Sequence, residues 1–200
     1  MQTTRHNKYF ALIVLMFLLL NCVPLFALDT PPFSLPPKQE LLKIRSAILY
    51  TEKGEVYFRL YPEEAPWHVA NLKYLADKGF YKNLKFHKYV PNLAIQTGAS
   101  GVKANSGPGY TLPAEFNNRK HDLGALSMVR KPNDLDFDHS RRSHGSQFRI
   151  ILGRAPHMDG QYVVFGQVVK GIGVAERLRV GDRVLDLKVF VKEDEHSVIR

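Results

Sequence analysis

Alternation with a period of two is the feature that most limits how this chain can fold. In residues 55–61, Val56, Phe58 and Leu60 alternate with Glu55, Tyr57 and Arg59. In residues 184–192, Leu185, Leu187, Val189 and Val191 alternate with Asp186, Lys188 and Phe190. Successive side chains on a strand point to opposite faces, so such segments build a sheet that is apolar on one side. Further strands are expected at residues 46–50, 84–90, 93–97, 125–129, 147–152 and 162–168. The first two strands flank residues 51–54 (TEKG), a hairpin-type loop whose Gly54 can take a positive φ. Two stretches read as helix. One opens at Pro66, where a missing N–H costs nothing, carries Val69, Leu72, Leu75 and Ala76 as its apolar stripe, and stops at Gly79. The other is short, at residues 174–178. Many strands with two helices predict a closed antiparallel barrel, which removes exposed sheet edges.

The first 27 residues have a different composition. Arg5 and Lys8 precede the unbroken apolar run 10–20 (FALIVLMFLLL), and the small residue Ala27 follows. A positive start, a short apolar stretch and a small residue form a secretory signal, and the run is too short for the roughly 20 residues that span a bilayer. Three fates are open: cleavage near Ala27, lipidation at Cys22 (with Asn21 in front of it where a small residue is usual), or an uncleaved anchor over residues 9–28 that attaches the chain to a membrane. Each places the folded part outside a bacterial cytoplasm, in the periplasm or held in the cell envelope. Cys22 is the single cysteine, so the domain relies on its packed core and not on an internal disulfide. Residues 30–37 (TPPFSLPP) hold four prolines and read as an extended tether. The expected organisation is therefore a signal or anchor at 1–27, a Pro-rich linker at 28–44, one domain at 45–194 and a tail at 195–200. Losing residues 1–27 with Arg5 and Lys8 takes the net charge from +9 to +7. No zinc-finger spacing, aromatic RNA-binding signature or long basic run accompanies that charge, which argues against nucleic acid as a partner.

Four blocks then fall in a fixed order: FHKYVPNLAIQ at 86–96, GALSM at 124–128, GSQFRI at 145–150 and MDGQYVVFGQV at 158–168. GPGYTLPAEF at 107–116 lies between the first two. Together they resemble the cyclophilin-type peptidyl-prolyl isomerases over roughly residues 45–192. The resemblance implies a mostly β fold, a closed eight-stranded antiparallel barrel capped by two α-helices, acting as a monomer on proline-containing polypeptides without a cofactor or metal. The implied reaction is rotation about an X–Pro amide, whose uncatalysed barrier is about 18–20 kcal/mol. It needs no nucleophile. A cationic donor that stabilises the lone pair of the twisted prolyl nitrogen, an apolar socket for the ring and polar groups that grip the flanking backbone suffice.

The resemblance also assigns roles, and several positions depart from the family pattern. Lys88 stands where the family carries its catalytic arginine, keeping the charge but losing the planar fork. Leu93 and Arg149 stand where the family has the two socket phenylalanines, while Gln96 and Gln147 match its backbone-gripping glutamines. Lys88, Gln96 and Arg149 are thus the catalytic candidates. Leu93, Met128, Val129, Arg130, Gln147, His157, Met158 and Tyr162 are the substrate-binding candidates, His157 where an aromatic residue is usual. Alternation places Gln147 and Arg149 on one face of their strand and Phe148 on the other. Losing two socket phenylalanines removes about 2–4 kcal/mol of apolar contact with proline. The expected function is an isomerase assisting the folding of exported proteins, with weakened or altered activity. The alternatives are a peptide-binding module or chaperone on the same fold, and a purely structural envelope domain.

Other signals are weaker. Asp134, Asp136 and Asp138 begin like a calcium loop, but His139 and Gly145 occupy the places that would need glycine and glutamate. The glycines of residues 98–109 lack the Lys-Ser/Thr ending of a phosphate loop. His144 and Ser146 have no third partner for a triad, and Trp67 and His87 read as packing residues.

Overall fold

The computed structural model describes residues 30–101, 103, 106–130 and 142–192. Its strands are β1 (Ile44–Thr51), β2 (Gly54–Leu60), β3 (Lys88–Val90), β4 (Ala94–Thr97), β5 (Thr111–Leu112), β6 (Ala125–Arg130), β7 (Ser143–Ile151), β8 (Val164–Lys170) and β9 (Val184–Val191). Helices α1 (Lys38–Leu41), α2 (Pro66–Asp77) and α3 (Ile172–Arg177) and a 3-10 turn (Pro156–Met158) complete the described residues. All strands pair antiparallel in the order β3-β4-β7-β6-β8-β2-β1-β9, with β5 laid on β7.

That path is open, which corrects the expected closed barrel of eight strands. The sheet is a curled half-barrel with β3 and β9 at its ends. Residues 84–90 were expected to be one strand, yet regular pairing starts only at Lys88. Asn83 takes φ +63, so the chain is still turning just before this segment. Among the described residues the seam is spanned by the isolated Lys85–Arg183 bridge and four backbone hydrogen bonds: Asn83 N–H to the Val184 carbonyl (2.8 Å), Val184 N–H to the Leu84 carbonyl (2.8 Å), Phe86 N–H to the Asp182 carbonyl (2.9 Å) and Gly181 N–H to the Phe86 carbonyl (2.9 Å). The alternation expected in β9 is also broken. Val184, Leu187 and Val189 are buried while Leu185 and Val191 are exposed, with a register shift opposite Val184.

The inner face of the sheet packs Phe58, Leu60, Leu126, Phe148, Ile150 and Phe165 against Val69, Leu72 and Leu75 of α2. Phe148 sits edge-on to Phe58, Tyr81 and Phe165, with ring centroids 5.8–6.5 Å apart. A smaller cluster forms on the outer face from Ala94, Ala125, Ile151, Ala155, Met158 and Val164, with Leu93 and Tyr162 packed against it.

α2 starts at Pro66 and ends before Gly79 (φ +66). Its cap is remote: the Glu115 carboxylate accepts the N–H groups of Trp67 (3.0 Å) and His68 (3.2 Å), two donors that a helix start leaves unpaired. The Pro-rich stretch is not wholly a tether. Phe33 stacks on Tyr74 at 4.8 Å and lies 5.8 Å from Trp67, and Leu41 of α1 is buried. Residues 1–29, with Cys22 and the secretory signal, and the acidic stretch at 134–139 lie outside the described residues. Among the described residues no helix is long and apolar enough to cross a membrane.

Candidate active site

Three strand registers assemble the site. Lys88 on β3 lies opposite Gln96 on β4, Gln96 lies opposite Arg149 on β7, and Arg149 lies opposite Ser127 on β6. Directly opposed residues share a face, so these four side chains form a row across the outer face of the sheet, on strands about 4.8 Å apart. Gln147 joins them two positions along β7. Phe148 and Ile150 turn the other way, into the inner core.

The two glutamines meet. Gln96 Nε2 donates to Gln147 Oε1 (2.9 Å) and lies 3.0 Å from His87 Nε2, while Gln147 Nε2 donates to the Ser106 carbonyl (2.9 Å). With His87 Nε2 as acceptor, both amide hydrogens of Gln96 are used, and its Oε1 is left as an acceptor for a peptide N–H. Burial holds the His87 pKa below its ordinary value, which keeps the ring neutral and so leaves one of its nitrogens able to accept.

The backbone ahead of Gln147 is fixed from beneath. Asn71 of α2 donates to the Gly145 carbonyl (2.7 Å) and accepts from the Tyr110 hydroxyl (2.7 Å), and the Tyr81 hydroxyl donates to the Ser146 carbonyl (3.2 Å). His144 Nδ1 accepts the N–H groups of Ser146 and Gln147. Gly98 lets the following loop lie on this strand. Its φ is +96, and an added Cβ would meet the Ser146 carbonyl oxygen at 2.3 Å.

Arg149 ends over Tyr162, its guanidinium carbon 4.8 Å from the ring centroid and one Nη 3.9 Å from Met158 Sδ. Its Nε is buried without a hydrogen-bond partner. Burial lowers the pKa of Arg149, and the neighbouring Tyr162 opposes that shift. Arg130 approaches the same ring at 5.8 Å. Lys88, by contrast, is exposed and has no ion pair among the described residues. Leu93, half-buried, is the apolar side chain presented at the surface; Met158, expected to bind substrate, is instead buried in the cluster Leu93 packs against, and His157 is exposed on the 3-10 turn.

Two sequence assignments need correction or completion. Met128 does not face the groove: it is buried in the inner core, opposite Phe148, because Ala125 and Ser127 take the outer-face parity of β6. Val129 and Arg130 follow at the half-buried end of that strand. Sequence reading also missed a hydrogen-bonded chain under the site, half-buried at Asp159 and buried at His121 and Ser127. Asp159 Oδ1 accepts from His121 N–H (2.9 Å) and His121 Nδ1 (3.0 Å), and His121 Nε2 lies 3.0 Å from Ser127 Oγ. With Nδ1–H on the carboxylate, Nε2 accepts the Ser127 hydroxyl. Ser127 and His121 are inaccessible, so this is an orienting device and not a nucleophile. His121 packs edge-on against Tyr162 at 6.3 Å, which links the chain to the ring that carries Arg149. Burial pushes His121 below its ordinary pKa, and the two His121 N–H bonds pull Asp159 down to about 2. No local spacing signals this trio, whose members are brought together only by the fold.

Comparisons with known proteins find relatives of this chain and of its fold. The family model for cyclophilin type peptidyl-prolyl cis-trans isomerase/CLD matches residues 46–194. A peptidyl-prolyl cis-trans isomerase of Synechococcus elongatus is 38% identical over 145 residues, covering 72% of this chain and 94% of its own length. Peptidyl-prolyl cis-trans isomerase B of Bacillus subtilis is 37% identical over 143 residues, covering 70% and 94%. The crystal structure of a cyclophilin type peptidyl-prolyl cis-trans isomerase from Cryptosporidium parvum superposes with a TM-score of 0.65 at 25% identity, over 74% of this chain and 99% of that one. With the four blocks, the half-barrel and the paired glutamines all in place, the chain belongs to the cyclophilin-type peptidyl-prolyl cis-trans isomerases.

Proposed function

We propose that this isomerase acts on exported, proline-containing polypeptides with a lower turnover than a groove holding arginine and two phenylalanines, and that Lys88 is its catalytic cation. The observation that carries the reading is the Lys88–Gln96–Arg149 row with Gln147 beside it. The glutamines hold the substrate backbone, Leu93 receives the ring, and the ammonium stabilises the lone pair that appears as the amide twists. Lys88 suits that part because it is exposed and unpaired among the described residues, whereas Arg149 is committed to Tyr162 and Met158. A lysine on a flexible stem is less preorganised than an arginine, which is the physical reason for the lower turnover. The export reading rests on Arg5, Lys8 and the apolar run before Ala27.

The test is exchange NMR on a tetrapeptide X–Pro series with wild type and Lys88→Ala. Acceleration by wild type that Lys88→Ala abolishes supports the proposal. An uncatalysed rate for wild type on every peptide overturns it in favour of a peptide-binding module. Mass spectrometry of the processed protein decides the fate of the first 27 residues, and an intact Met1 on protein recovered from the cytoplasm defeats the export reading.

A further inference from the structure

From the surroundings of Arg149 we infer that the groove selects prolines with a carboxylate beside them, an acidic residue adjacent to the ring or the free carboxyl of a chain ending in proline. This rests on the peptide-binding groove proposed above and adds its substrate class.

Arg149 is a cation set among apolar groups. Ala94, Ala125, Ile151, Ala155, Met158 and Val164 form the cluster below it, and Tyr162 is the face on which it lies. Arginine remains protonated in proteins, so it cannot escape the cost of this setting by losing its charge. An ionised group in such a place is ordinarily paired. Here no described carboxylate serves, and Nε is buried with no partner. The nearest acid in the chain of contacts, Asp159, is already engaged by His121 and, at 3.4 Å, by Lys120.

The placement gives the missing partner an address. Arg149 stands next to Gln96 across β4–β7 and two residues from Gln147, the two amides that hold a substrate backbone. Its head touches Met158, a buried member of the cluster against which Leu93, the side chain offered to the proline ring, packs. Consecutive Cα atoms are about 3.8 Å apart, so a carboxylate one residue from the proline, or on the proline itself, lies within reach of the guanidinium. A planar fork matches a carboxylate at two points. Lys88 and Arg130 border the same surface and add to its positive potential, which disfavours a lysine beside the proline.

The experiment measures binding by calorimetry and rotation by exchange NMR on the full chain. Five peptides are compared. Ala-Glu-Pro-Ala and Ala-Ala-Pro-Glu are blocked at both ends, Ala-Ala-Pro is blocked at its amino end only, with a free carboxyl, and Ala-Ala-Pro-Ala and Ala-Lys-Pro-Ala are blocked at both ends. At least one acidic peptide is expected to bind about tenfold more tightly than Ala-Ala-Pro-Ala, the ratio that about 1.4 kcal/mol gives. The lysine peptide should bind less well, and the preference should shrink in high salt. The first three peptides show which source of carboxylate the site takes. Arg149→Met should remove the preference and Arg149→Lys should keep part of it, with circular dichroism checking that both fold. Equal affinity for acidic, neutral and basic peptides overturns the inference while leaving isomerase activity standing. So does a preference that survives Arg149→Met. Binding of no peptide at all also overturns it, because Arg149 then closes the socket. An acid preference without any rotation upholds it and defeats the isomerase proposal instead. If neither arginine variant folds, the salt dependence and the charge ranking in wild type decide.

Discussion

The inner and outer faces of the same strands follow different rules. On the inner face Phe148 meets three aromatic rings, and the neighbouring positions Met128 and Ile150 are equally buried and apolar. One residue away on the outer face are Gln147, Arg149 and Ser127, polar groups held by hydrogen bonds or by a ring. The inner face can be stabilised by any well-shaped apolar set, whereas the outer face depends on particular atoms being in particular places. The three positions that the family resemblance marks as departures, Lys88, Leu93 and Arg149, all belong to the outer face, so on the proposed reading the site can change without disturbing the fold.

The sharpest contrast lies between neighbours. Phe148→Ala should cost about 3–5 kcal/mol in urea unfolding, through lost burial and the cavity left behind. Arg149→Met should change stability by less than about 1.5 kcal/mol, since it swaps a half-buried cation with no carboxylate partner among the described residues for an apolar side chain of similar length. Comparable losses at both positions would break the distinction between the faces.

A smaller effect is expected where the two faces are joined. Asn71→Ala leaves the Gly145 carbonyl and the Tyr110 hydroxyl without their partner, and should cost about 1–3 kcal/mol. Because Gly145 leads into Gln147, peptide affinity should fall as well. A stability loss with unchanged affinity would show that α2 does not position the site.

Acid should act mainly through the outer face. Burial depresses the pKa of His87 and of His121 in the folded state, so the unfolded chain binds more protons as pH falls below about 6.5. Their contribution to stability is complete above that pH and is lost as pH drops toward the folded values. Asp159 acts in the same direction over a lower window, from its ordinary value near 3.8 down to about 2. A series of unfolding curves against pH should show this slope, and His121→Gln should remove part of it. A flat profile between pH 6.5 and 4 would contradict the buried, neutral state of both histidines. The smallest effect is expected from Lys88→Arg, a few-fold gain in turnover with little change in stability. A loss of turnover would place the catalytic cation elsewhere.

Much of this molecule was legible in the chain itself. Period-two alternation located β2 and put Phe148 inward and Arg149 outward, because a strand's faces are set by local backbone geometry. Pro66 and Gly79 bounded α2 because each acts on its own backbone. The same parity rule, carried through residues 125–130, would have sent Met128 inward. What only the tertiary structure decided involves partners far apart in sequence. The half-barrel is open because β3 and β9 do not pair as strands, and residues 83–86 and 181–184 meet there through an isolated bridge and a few backbone hydrogen bonds. Asp159, His121 and Ser127 converge across three separate segments, and Phe33 finds Tyr74 although its own segment reads as a linker. Alternation tells which way a side chain points, but the register and curl of the sheet determine what it meets there.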